Sequence, residues 1–63
     1  MYEQAVLAER FESLLSDARS AEQIYARMAS HIDDPQLREQ VEQLHREKRR
    51  HVELTERLLE IVA

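Results

Sequence analysis

Apolar residues recur along the first half of the chain at Leu7, Phe11, Leu14, Ala18, Ala21, Tyr25, Met28 and Ile32, with spacings that alternate between four and three. In an α-helix of about 3.6 residues per turn that rhythm keeps them on one side, as in the seam of a bundle or coiled coil. Leu15, Ile24 and Ala29 widen the stripe on one flank, as a bundle helix requires. The second half repeats the rule at Leu37, Val41, Leu44, Lys48, His51, Thr55, Leu58 and Val62. Its register persists while its chemistry changes: Lys48, His51 and Thr55 stand in the middle, where apolar residues are expected.

Between the halves lies His31-Ile32-Asp33-Asp34-Pro35. A carboxylate at Asp34 can cap a second helix whose first residue is Pro35, where the missing N–H costs nothing. Pro35 also biases Asp34 away from helical geometry, which stops the first helix near Ile32. His31, in the last turn, is favoured there by the helix dipole when protonated. The pattern therefore predicts one all-α domain over residues 1–63: a first helix over about 2–32, a turn at 33–34 and a second helix over about 35–62. So short a connection makes the helices antiparallel neighbours. One side of the shared seam stays bare in a lone hairpin, so a homodimer forming a four-helix bundle is the smallest assembly that covers it. Pairs four residues apart, such as Arg38–Glu42, Glu42–Arg46, Arg49–Glu53 and Glu53–Arg57, support the outer helix faces without specifying a function.

Composition agrees with this picture and raises the need for a partner. Among 63 residues there is no Gly, one Pro and no Cys, so there are few places to turn and no disulfide can form. Chains below about 70–80 residues rarely gain more than ~3–5 kcal/mol from one core and depend on disulfides, metal or partners. A partner, or a metal shared between partners, is what remains. The net charge of −4 gives no overall pull toward nucleic acid. The start, Met1-Tyr2-Glu3-Gln4, lacks a secretory pattern, and no apolar run approaches membrane-spanning length; a cytoplasmic protein without membrane contact is the expectation.

The informative segment is Leu44-His45-Arg46-Glu47-Lys48-Arg49-Arg50-His51. Glu47 and His51 are four apart and can share a helix face, a spacing suited to two metal ligands. Glu22, beside the seam on the first helix, reaches a similar level of the hairpin and completes a candidate site of Glu22, Glu47 and His51. His45 lies one step off the seam and reads as a flank residue. Charge offers a different use for the same residues. A Lys in a bundle seam needs a nearby carboxylate, and Glu22 of the facing helix or Glu47 of a symmetry-related chain can supply it. Lys48, His51, Glu22 and Glu47 would then form a polar seam that fixes register and oligomeric state.

The stretch from Asp17 to Ile61 resembles the helical hairpin of the ferritin-like superfamily, in particular rubrerythrin-like and encapsulated-ferritin half-bundles. The shared landmarks are Tyr25 in mid-helix, Asp34-Pro35-Gln36-Leu37 opening the second helix, then Leu44, His51, Leu54 and Leu58-Leu59. In that family a dimetal centre takes a Glu seven residues before the Tyr and a Glu-x-x-His pair on the second helix. Those ligand positions fall here on Ala18, Lys48 and His51, and only His51 can ligate in the family's manner. The resemblance thus implies the scaffold more than the ferroxidase activity, much as ferritin light chains keep the bundle with a Lys in place of a carboxylate.

Arg46, Lys48, Arg49 and Arg50 with their flanking histidines also suit a small RNA-binding hairpin dimer. Interleaved Glu42, Glu47 and Glu53, and a second helix without aromatic residues for base stacking, favour a solvated, salt-bridged face. Catalysis by a nucleophile finds no Cys and no Gly-rich loop around Ser13, Ser16, Ser20 or Ser30. The sequence therefore points to a non-catalytic oligomerisation or interaction module that needs no cofactor. The alternatives are an iron or other divalent-metal site between subunits, an RNA-binding dimer, and a docking hairpin for a larger protein.

Overall fold

The computed structural model describes residues 3–62 and contains two α-helices packed against each other, α1 (Gln4–His31) and α2 (Pro35–Val62), each of 28 residues. Tyr2, where the sequence pattern starts the first helix, lies outside the described residues. The backbone fills an extent of 48 × 16 × 13 Å, a rod one helix length long and two helices wide. Among the described residues no helix is long and apolar enough to cross a membrane.

Local chemistry explains where each helix stops. The C-cap residue Ile32 adopts an extended backbone, and its N–H donates to the Ala29 carbonyl at 3.5 Å. His31 Nδ1 sits 2.8 Å from the Arg27 carbonyl, close enough to donate to it in the tautomer that has its proton on this nitrogen. The Ser30 hydroxyl donates to the same carbonyl at 2.7 Å, so two side chains close the end of α1. Pro35 opens α2, and the Gln36 N–H donates to Asp34 Oδ1 at 3.0 Å, which is the cap expected from the sequence. The Arg38 N–H follows onto the Asp34 carbonyl at 2.9 Å as the first regular helical bond. Asp34→Ala removes the cap, and a loss of about 1 kcal/mol in urea unfolding is expected, with helix content otherwise retained.

The contact between the helices is rotated relative to the stripe read from the sequence. The deepest side chains are Leu15 and Ala29 on α1 and Val41 and Val52 on α2, each no more than 9% exposed. Phe11, Ala18, Glu22 and Tyr25, and across from them His45, Lys48, Thr55 and Leu59, are half-buried around them. The contact line therefore runs through 11, 15, 18, 22, 25 and 29 on α1 and through 41, 45, 48, 52, 55 and 59 on α2. Leu15 and Ala29, expected on a flank, are central. Leu14, Met28, Leu37, Leu44 and His51, expected in the seam, stand at its edge and are exposed, and Ile24 is exposed as well. The physical reason is that two helices need only a narrow line of contact. The hairpin uses one half of a broad stripe and leaves the other half open.

That rotation gives the hairpin two unlike faces. At about 3.6 residues per turn, the large exposed apolar side chains Leu14 and Met28 of α1 lie on one side of the contact line, with Ile24 turned farther round toward the outer side. Leu37 and Leu44 of α2 lie on the matching side of theirs, whereas Leu54 and Ile61 are turned farther round, toward the outer side of α2. A single groove lined by Leu14, Asp17, Ala18 and Ala21 from α1 and Lys48, His51 and Thr55 from α2 shows that both flanks open onto the same, front face. The ion pairs Arg19–Glu56, Glu22–Arg49, Glu22–His45 and Arg38–Glu42 all fall on the opposite, back face.

Candidate functional site

The front face is the feature that a free hairpin does not explain. Among the described residues four form the buried apolar core, whereas seven large apolar side chains are exposed, from Leu44 at 39% to Ile61 at 74%, with Leu14, Met28, Leu37 and Leu44 on the front. The molecule exposes 5216 Å², against ~4,200 Å² for a compact monomer of this mass. The excess of roughly 1,000 Å² is of the order that each partner buries in a specific protein–protein interface.

At the middle of this face the chemistry changes. Residues 17 and 18 are at mid-length of α1, and Lys48 is at mid-length of α2. Here the groove has a small-residue wall, Ala18 and Ala21, opposite a bulky polar wall, Lys48 and His51. Lys48 is half-buried, while Asp17 and His51 are exposed. Among the described residues neither Asp17 nor Lys48 has an ion-pair partner. Thr55, the third polar residue on this wall, turns its hydroxyl back onto the His51 carbonyl at 2.7 Å, as a helix-interior Thr commonly does.

The back face is closed by charge. Glu22 Oε1 accepts from Arg49 Nε at 3.3 Å and lies 3.5 Å from His45 Nε2, linking α1 to α2 across the contact line. Farther from the turn, Arg19 and Glu56 lie 3.8 Å apart. Within α2, Arg38 donates to Glu42 at 3.1 Å, the one of the expected i,i+4 pairs that takes this form here.

These positions redistribute the residues singled out from the sequence. Glu22, considered as counter-ion to Lys48, is engaged by Arg49 and His45 on the other face. Glu47 is exposed and does not line the central groove, and His51 remains on the front. Glu22, Glu47 and His51 thus do not meet within one hairpin, and among the described residues no three His, Asp or Glu side chains converge on a point that suits a metal ion. Of the basic cluster, Arg49 is tied to Glu22, while Arg46 and Arg50 stand with Gln43 and Glu47 on the outer side of α2. Sequence reasoning missed His45 as a contact residue. The signal for it is present in the run 41, 45, 48, 52, which has the same four–three spacing as the seam stripe.

Comparison with protein-family models, with curated proteins and with solved structures finds no match to this chain.

The cross-helix pairs sit at the solvent edge of the contact, with Glu22 and His45 half-buried and Arg19, Arg49 and Glu56 exposed, and pairs so open to water contribute about 0.2–1 kcal/mol. Glu22→Gln keeps the shape and one acceptor, so a loss below about 1 kcal/mol is expected, shrinking further in high salt. Urea unfolding at low and high ionic strength measures it.

Proposed function

We propose that this chain is a non-catalytic oligomerisation module in which two hairpins join through their front faces to form a homodimeric four-helix bundle. The observation that carries the reading is the separation of chemistry between the faces. The exposed side chains of Leu14, Met28, Leu37 and Leu44 gather on one side, and the cross-helix ion pairs gather on the other.

Burial of apolar surface contributes about 25 cal/mol per Å², so closing even half of the ~1,000 Å² excess on each hairpin is a large term beside the stability expected of so small a core. A second copy supplies a face of the same length, width and apolar content. In the resulting bundle the stripe Leu7, Leu14, Ala18, Ala21, Tyr25, Met28 with Leu37, Leu44, Lys48, His51, Leu58 points to the common centre. The half of the stripe that a lone hairpin leaves open is then covered. On this reading the likeness to ferritin-like half-bundles is one of scaffold, with Ala18 and Lys48 standing where that family places metal-binding carboxylates.

Folding and association are coupled in such a molecule. Its thermal midpoint should therefore rise with protein concentration, by several degrees over a hundredfold range, when followed by circular dichroism. A midpoint independent of concentration, in a sample that remains monomeric, contradicts the proposal.

A further inference from the structure

Two hairpins can bring their front faces together in two symmetric ways. With the turns at the same end, each α1 lies over its partner's α2. With the turns at opposite ends, α1 lies over α1 and α2 over α2. We infer that the dimer takes the first form, turn beside turn; this inference rests on the pairing proposed above and specifies its geometry.

The outer layers of the face do not choose between the two forms. Met28, Leu37 and Leu58 meet apolar residues either way. The central layer does choose, because its two walls differ in both volume and charge. In the turn-beside-turn form, Lys48 and His51 of each hairpin face the space left by the partner's Ala18 and Ala21, so large residues sit against small ones. In the opposite form, Lys48 and His51 face their own copies, while Ala18 and Ala21 face Ala18 and Ala21. One side of the centre is overfilled and the other is left hollow, and both errors destabilise a packed interface.

Charge selects the same form. Asp17 and Lys48 line the same groove at mid-length, and neither has an ion-pair partner among the described residues. When α1 lies over the partner's α2, Asp17 of each hairpin faces the partner's Lys48, which gives two complementary pairs related by the two-fold axis. When like helices face each other, Asp17 faces the partner's Asp17 across a wall of alanines, and Lys48 faces the partner's Lys48. Like charges at one level of an interface oppose that pairing, which is how charged positions commonly set helix orientation. The cation in the stripe thus acts as an orientation key: it fits a second copy in one direction.

Spin-label distances between the two copies test this directly. The chain has no Cys, so single substitutions at the exposed ends, Asp33→Cys in the turn and Glu60→Cys at the far end of α2, each give one nitroxide per hairpin. Packed helices lie about 8–10 Å apart, so the turn-beside-turn form predicts separations on the order of 10–25 Å for both labels. Separations near the 48 Å length of the hairpin for both labels overturn the inference while leaving the dimer intact. Sedimentation of the same labelled samples, beside unlabelled protein, keeps the two questions apart: unlabelled protein that sediments as a monomer removes the pairing itself, and the inference with it.

Discussion

Leu44→Glu is expected to abolish the proposed dimer and, because folding and association are coupled, to lower helix content at micromolar concentration. Leu44 is on the front face at mid-stripe, 39% exposed in the free hairpin, so a Glu there reaches water at little cost to the hairpin itself. In the bundle the same carboxylate would be enclosed among Leu, Ile and Met side chains, where an unpaired charge is strongly disfavoured. The two-fold axis places the change twice in every dimer. Lost burial and added desolvation together amount to at least ~3 kcal/mol, or more than a hundredfold in dimer affinity. Sedimentation velocity over a range of concentrations reads the shift. Gln23→Glu introduces the same carboxylate on the back half of α1, away from the front groove, and should leave the mass unchanged.

A second large effect separates the two halves of the stripe. Leu15 is 8% exposed and wedged between the helices, whereas its neighbour Leu14 is 55% exposed on the front face. Leu15→Ala opens a cavity inside each hairpin and should cost about 2–4 kcal/mol, enough to unfold a domain with so small a core. Leu14→Ala leaves the hairpin's own contact intact and weakens association. Its helix content should recover at high protein concentration, and that of Leu15→Ala should recover far less. Circular dichroism of both variants across a concentration series makes the comparison. Equal behaviour of the two would mean that the open and closed halves of the stripe are not distinct.

The turn was legible because it rests on local rules. Asp34 and Pro35 state a cap and a helix start within two residues, and the structure places the Gln36 N–H on the Asp34 carboxylate. The helices were equally legible from the unbroken four–three spacing. Their rotation was not. A stripe centred on Ala18, Ala21, Leu44 and His51 fits the middle of a four-helix bundle, but a two-helix contact settles to one side of it, on Leu15, Ala29, Val41 and Val52. Sequence periodicity gives the centre of an apolar stripe; it does not say which part a single neighbour will use. The same rotation explains why Glu22 faces His45 and Arg49 while Lys48 is left in the front groove. Charge pairing across helices depends on a few tens of degrees of helix rotation, finer than the spacing of apolar residues resolves.

The open front face needs cover, and its proposed occupant is a second copy. Sedimentation equilibrium of the unmodified protein at micromolar concentration measures that with the fewest assumptions. The prediction is a mass of about 15 kDa, twice the 7.5 kDa of one chain, dissociating on dilution without a stable folded monomer. A folded, helical species that stays at 7.5 kDa up to high concentration would contradict it.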